Sequence, residues 1–559
     1  MNKLRNALAV AVLTALGAVS SAQAADIIVV NLDGANEGYN DTTVVAPVGG
    51  NPATTRGLQR QYVAQYAAQL WGSILKSEQA IYIAAQFNPL GANVLGSAGS
   101  VTVHRNFTNA PLNEIWYNAA LADAISGIDL DPTRYDISSQ YSSDFPFYYG
   151  LDDNTPVGQI NFLDVVMHEF GHGLGFQNFE AEANGRWQGA SAQNPNGGFP
   201  DIFSVFTYDN TAGKYWTQMT AAERVTSALN YGNVVFAGPN AKAGAALILD
   251  DRKDFRVTAP AAAAGNYSFN TVPFGAAVTG SNFNGQLVLG LDASNATGTS
   301  ITDACTALTN AAAVAGKYVL VDRGTCAITI KAKNVQDAGG LGVLVANNTV
   351  DNPPPSFSGV DATLTIPVII ATQATGNLLK ANLPAQVAFV VDPTKLHGAD
   401  DQGRPRLFMP NPVQGGSSGS HYDSIALPNL LMEPAINDSL FSAAHLDITP
   451  HLMADIGWQI NAVGAFPVSS GNAQVGSPSV PDCDTGVPIA SQAGMFTGGS
   501  IQASNEVCLL SAQSRTGYYT CMDAARDRLV SSGLLTSLQG GKMMTCAKKV
   551  QSHQVFPIF

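Results

Sequence analysis

The residues best suited to chemistry are His168-Glu169-Phe170-Gly171-His172, followed by Gly173-Leu174-Gly175-Phe176. On a helix, positions four apart stack on one face, so His168 and His172 aim two imidazoles at one point. Zinc accepts neutral histidine nitrogens at about 2.0–2.1 Å, a distance such a pair meets without strain. Glu169 stands beside them as a carboxylate able to take a proton from an activated water. The preceding run, Ile160 to Met167, is apolar enough to bury the helix and hold both imidazoles still.

A catalytic zinc normally needs a third protein ligand, with water in the fourth position. In the metzincin pattern H-E-x-x-H-x-x-G-x-x-H that ligand would fall at 178. Gly175 is present, but position 178 is Asn, a poor zinc donor beside imidazole. Farther on, Ser420-His421-Tyr422-Asp423 precedes Asn429-Leu430-Leu431-Met432-Glu433-Pro434. Together with the first motif, these segments resemble the leishmanolysin-like branch of the metzincins. The resemblance implies His421 as the third ligand, supplied after an insertion, and Met432 as the methionine packed beneath the metal. Some metzincins carry a Tyr two positions beyond that methionine; here Pro434 stands there, so zinc is the one oxyanion partner expected. No cysteine precedes Cys305, so none is available upstream to block the metal.

The elements that must position these groups read as α/β. Asp26 to Asn31 is a buried strand, Arg56 to Leu75 carries apolar residues at helical spacing on one face, and Ala80 to Phe87 is another strand. Thr220-Ala221-Ala222-Glu223 starts a short helix. Between 251 and 395 the composition shifts to Val, Ala and Gly in short strands, with helices near Ile328 to Ala338 and Gly376 to Asn382. This passage resembles the protease-associated (PA) domain, a non-catalytic module of secreted peptidases and some receptors. By that resemblance Cys305 pairs with Cys326.

The N-terminus reads as a secretory leader. Lys3 and Arg5 are followed by the apolar stretch Leu8 to Val19 and the small-residue site Ala22-Gln23-Ala24, with cleavage before Ala25. That apolar run is too short to span a bilayer, which needs about 20 residues, and no later segment reaches that length. The formal charge is −14, and removing Lys3 and Arg5 makes it −16, which argues against nucleic-acid or anionic-membrane partners. Six cysteines without a C-x-x-C pair suit disulfides in an exported protein rather than a cysteine-zinc site. The four in the tail (483, 508, 521 and 546) allow three pairings, and the sequence does not choose among them.

The expected organisation is a multidomain α/β (α+β) protein. It comprises a leader over 1–24, a metzincin-like catalytic domain over 25–250 and 396–462, and a PA insert over 251–395. A linker over 463–482 and a disulfide-bonded region over 483–559 follow. The expected function is a secreted or periplasmic endopeptidase acting on protein or peptide substrates. It would carry one catalytic zinc on His168, His172 and His421, with Glu169 as general base; structural calcium is not indicated. The competing expectation is a non-catalytic exported binding protein that recognises proteins through the PA module. A third, a serine hydrolase, rests on Gly415-Gly416-Ser417-Ser418-Gly419, which matches the letters of a nucleophile elbow. Its flanks, Pro410-Asn411-Pro412 and Ser420-His421-Tyr422, supply neither the required strand nor the helix.

Overall fold

A computed structural model describes residues 24–550 except 182, 191–193, 195–196, 295–299, 351, 356, 358, 360, 437–439, 461–470, 478–479 and 513. All but the last residue of the expected leader, part of the expected linker, and the stretch 551–559 lie outside the described residues.

The first sheet is built from β1 (Ile27–Asn31), β2 (Ile81–Asn88), β3 (Gly96–Ser100) and β4 (Ile137–Ser142). Its spatial order is β1-β2-β4-β3. The first three neighbours run parallel, and β3 lies antiparallel at the edge. Helix α1 (Arg56–Ile74) follows β1 and packs on α2 (Phe162–Leu174), which carries His168, Glu169 and His172. Trp71 Nε1 donates to Met167 O at 3.2 Å, tying the two helices together. Asn161 caps α2, its side chain accepting from Leu163 N at 3.0 Å, so one otherwise unpaired amide of the first turn is satisfied. At the other end Trp458 Nε1 donates to Leu174 O at 2.8 Å. Thr220 and Glu223 form the expected capping box on a short helix, Ala221–Ser227.

A second, eight-stranded sheet occupies the middle of the chain. Its strands are β5 (Asp251–Ala259), β6 (Gly265–Tyr267), β7 (Phe269–Thr271), β8 (Asn284–Leu289), β9 (Tyr318–Asp322), β10 (Gly342–Ala346), β11 (Val368–Ala371) and β12 (Ala385–Leu396). The order is β6-β5-β12-β8-β9-β10-β11-β7, with β8, β9, β10 and β11 parallel. Strands β9 and β10 are near-continuous apolar runs because helices, including α3 (Ile328–Asp337) and α4 (Gln373–Lys380), cover the sheet. Strands β5 and β12 pair antiparallel, so the chain enters and leaves this unit side by side. Cys305 is bonded to Cys326. The chain before and after the unit shares one hydrophobic core, running from Ala25 to Leu249 and from Ala399 through α5 (Thr449–Ile456) to Ile460.

The C-terminal region departs from expectation. The stretch 463–482, read from sequence as a linker, carries β13 (Asn472–Ser477) and the start of β14 (Val480–Pro488), which pair antiparallel. Gln474 pairs with Asp484 and Val475 with Cys483, so Ser/Gly composition there marks a hairpin rather than a spacer. Helices α6 (Thr497–Ser511), α7 (Arg515–Ser531) and α8 (Ser537–Ala547) complete the region, with disulfides Cys483–Cys546 and Cys508–Cys521. Nor is the region a detached appendage. Helix α6 lies along α1, with Tyr66 Oη and Ser500 Oγ 2.6 Å apart. A Cβ on Gly499 would stand 2.5 Å from Ser73 Oγ, so a larger residue there would have to displace the Ser73 side chain. Helix α1, expected to be half exposed, therefore buries Gln59, Gln61 and Ser73 as well as its apolar stripe.

Candidate metal centre

Three imidazoles converge at the end of the first core. His172 Nε2 lies 3.0 Å from His168 Nε2 and 3.1 Å from His421 Nε2, and the third side of the triangle is 3.2 Å. Among the described residues this is the one group of three or more histidine, cysteine or acidic side chains that meets the spacing of a metal site. Histidines from α2 and from a loop 249 positions onward are brought together by the shared core.

Each ring is held from behind. His168 Nδ1 donates to Leu431 O at 2.7 Å, His172 Nδ1 to Phe176 O at 2.8 Å, and His421 Nδ1 to Ser417 O at 2.8 Å. A carbonyl only accepts, so each Nδ1 carries the hydrogen and each neutral ring presents a bare lone pair at Nε2. Three lone pairs thus face one another with no hydrogen between them, a repulsive arrangement that a cation resolves. Burial lowers the rings' basicity. His168 titrates at about 4 and His172 at about 3, the latter also through His168, while His421 is lowered well below the ordinary value. All three are neutral ligands at neutral pH. Two nitrogens at about 2.0–2.1 Å from a tetrahedral ion stand about 3.3 Å apart, close to the observed triangle, so the donor set fits zinc.

Local backbone explains how the rings arrive there. Gly175 ends α2 at φ 131°, a conformation that side-chain-bearing residues rarely adopt, and turns the chain so that Phe176 O reaches His172. Met432 packs beneath α2, where a Cβ on Gly171 would meet its Sδ at 2.7 Å. Tyr422 N donates to Met432 O at 2.8 Å, which joins the His421 loop to the Met432 turn. Asp447, which the sequence reading did not single out, accepts from Leu431 N through one oxygen. Its other oxygen accepts from Thr449 N at 3.0 Å and Thr449 Oγ1 at 2.9 Å. It holds the peptide whose neighbouring carbonyl orients His168.

Glu169 is buried next to the triangle. Burial pushes its carboxyl up to about 8, opposed by the Ala98 backbone N–H. Its Oε2 has no hydrogen-bond partner among the described residues. Asn178, at the position where the local pattern would place a ligand, is instead a brace: its N and Nδ2 each lie 3.2 Å from Ser420 Oγ. The Gly415–Gly419 segment is a turn, not a strand-to-helix elbow, and its contribution is the Ser417 carbonyl. His104, His397, His445 and His451 lie outside the triangle, and His553 lies outside the described residues.

The triangle opens into a cleft of 890 Å³ whose lining includes Gly96, Ala98, Glu169, Asn178, His421 and Glu433. One wall is β3, whose outer edge pairs with no other strand among the described residues. Among the described residues, the cleft lining holds no lysine or arginine.

Comparison with known proteins adds a module assignment. Residues 283–379 match the PA domain family, within the eight-stranded unit. The chain is 30% identical over 138 residues to vacuolar-sorting receptor 2 of Arabidopsis thaliana, covering 23% of this chain and 22% of the receptor. Among solved structures, it is similar to BSAP, a zinc aminopeptidase from Bacillus subtilis, at 19% identity and a TM-score of 0.19. That match covers 27% of this chain and 35% of that one. A peptidase M28 precursor from Shewanella amazonensis matches at 12% identity and a TM-score of 0.20, covering 26% and 35%. The chain thus spans about a fifth of the receptor and about a third of these structures. It is a mixed α/β protein of several units, one of them a PA domain, with three disulfides. Among the described residues, no helix is long and apolar enough to cross a membrane.

Proposed function

We propose that this chain is an exported zinc endopeptidase built on the leishmanolysin-like plan, with the PA unit inserted between its second and third ligands. The observation that carries this reading is the triangle of unprotonated Nε2 atoms beside a buried, half-unpartnered carboxylate. A zinc ion held there supplies a Lewis acid that brings the pKa of a bound water to around 7 and withdraws charge from a carbonyl oxygen.

The protein's own groups do the rest. His168, His172 and His421 bind the ion, and the Leu431, Phe176 and Ser417 carbonyls fix their tautomers. A nearby cation favours ionised Glu169 and opposes the upward shift that burial imposes. Glu169 takes the proton of the attacking water as the new C–O bond forms. It then passes that proton to the leaving amine as the C–N bond breaks. The free edge of β3 offers an extended peptide backbone a row of hydrogen-bonding groups along the cleft. Such a wall holds residues on both sides of the cut bond and supports internal cleavage.

The PA match and the likeness to a sorting receptor favour a second reading, a binding protein without catalysis. One experiment separates them. The purified protein is assayed for zinc content and for cleavage of an internally quenched peptide blocked at both ends, alongside Glu169→Gln. The proposal expects one zinc in both proteins and turnover at least about 100-fold lower in the variant. A protein that binds no zinc, or that leaves the peptide intact, favours the second reading. Cleavage restricted to peptides with a free amino terminus would replace endopeptidase with aminopeptidase.

A further inference from the structure

A second polar pocket, of 180 Å³, lies far from the metal centre in sequence terms, between the start of the described chain, the end of α1, and α6 with its hairpin. Its lining includes Ala25, Gly72, Asp482, Asn505 and Glu506, and among the described residues it holds no lysine or arginine. Glu506 is half-buried in it. Asn505 Nδ2 donates to Glu506 Oε1 at 3.2 Å, and the charges bearing on it, Asp482 and Asp26, are both negative. Burial and these like charges raise its pKa. A carboxylate so placed is a cation site without a side-chain cation.

Ala25 sits in the same pocket, 7% exposed and tightly docked: a Cβ on Gly72 would stand 2.4 Å from Ala25 O. Its backbone nitrogen faces two acceptors at once, Gly72 O and Leu75 O, each at 3.0 Å. An amide has one hydrogen to share between them, whereas an ammonium has three. Independently, the sequence places the leader's cleavage site between Ala24 and Ala25. Hydrolysis there adds water across the bond. Ala24 leaves with the carboxylate, and Ala25 keeps an amine that is largely protonated at pH 7, since an ordinary α-amine titrates at about 7.7–8.0.

We propose that the new α-ammonium of Ala25 is held in this pocket by the Gly72 and Leu75 carbonyls and the Glu506 carboxylate. Removal of the leader thereby installs the missing cation and locks the α1 end of the first core to the C-terminal helices. Free termini are usually loose; this one becomes an internal ion pair.

The test uses the protein exported and processed from its full-length chain. Intact mass and terminal sequencing identify the first residue. The rate of α-amine labelling by an amine-reactive ester is then followed from pH 6 to 10, with the free peptide of the same N-terminal sequence as reference. The proposal expects Ala25 as the first residue and labelling at least tenfold slower than in the peptide at pH 7. It also expects an amine pKa at least one unit higher than the peptide's, with Glu506, Asp482 and Asp26 as the charges that raise it. Glu506→Gln should recover most of the peptide's rate, and a chain retaining Ala24 should label as the peptide does. A different first residue, labelling at the peptide's rate, or a Glu506→Gln rate equal to that of the unsubstituted protein overturns it. The pH profile of the unsubstituted protein decides the matter even where a variant does not fold. None of these readouts depends on turnover, so the result stands apart from the peptidase reading.

Discussion

His168 Nδ1 donates to the carbonyl of Leu431 at 2.7 Å, across 263 positions of sequence. The contact makes the Met432 turn part of the candidate metal centre. The turn packs a sulfur under α2 and also sets which nitrogen of His168 faces the ion. Asp447 fixes the turn in its place by accepting from Leu431 N.

Removing that support should loosen the ligand without deleting it. Asp447→Ala takes away the acceptor for Leu431 N and for Thr449, in a fully buried setting. Zinc affinity, measured by competition with a chromophoric chelator, should fall about 10- to 100-fold, the range for groups that orient a ligand. An unchanged affinity in a folded variant would mean that the turn needs no such anchor.

The packing of Met432 on Gly171 is a steric prediction. Gly171→Ala places a methyl 2.7 Å from the Met432 sulfur. Overpacking of this kind costs about 1–3 kcal/mol, read as a lowered urea midpoint. Met432→Ala in the same chain should recover part of that loss, giving a favourable coupling in a double-mutant cycle. Additive effects would place the clash elsewhere.

Asn178 and His421 separate the local pattern from the distant one. His421→Ala should lower zinc affinity by more than about 100-fold, since a ligand is worth more than the groups that orient it. Asn178→Ala, which removes the side-chain bonds to Ser420 Oγ and from Glu180 N, should keep one zinc per chain. The reverse result would move the third ligand to 178.

The metal-free protein should respond to pH through groups of opposite sign. His168 and His172 titrate at about 4 and 3 in the fold, below their ordinary value. Their contribution is present above about pH 6.5 and is lost as pH falls toward 4 and below. Glu169 is raised to about 8, so its contribution is present below about pH 4.5 and is lost as pH rises through 8. Chelator-stripped Glu169→Gln should therefore be more stable than the stripped parent at pH 8.5, by a difference on the order of 1–3 kcal/mol in denaturant unfolding. Equal midpoints there would show that Glu169 is not held uncharged by burial.

The parts of the site legible in the sequence are those with a local period. His168, Glu169 and His172 follow from i, i+4 spacing on one helix, and the apolar run before them accounts for the helix's burial. No period connects His172 to His421; only the words around His421 and Met432 single them out. The carbonyls of Leu431, Phe176 and Ser417 were illegible because every residue carries one, and only the fold aims it. Asp447 lacked a signal for a similar reason, since its partner is a backbone amide 16 positions away. The C-terminal region misled through composition. The Ser- and Gly-rich stretch 463–482 reads as a spacer, yet its described residues pair in strands, and the small Gly499 on α6 faces α1. The PA unit was legible because fully buried parallel strands write themselves as apolar runs, as in Gly342–Ala346.

The central claim is that His421 completes a tripod with His168 and His172 around one ion. Anomalous diffraction from crystals of the zinc-loaded protein, collected on both sides of the zinc absorption edge, tests it most directly. The account predicts a single strong peak about 2.0–2.1 Å from the Nε2 atoms of all three histidines. A peak ligated by His168 and His172 with His421 turned away, or no peak at the triangle, would contradict it.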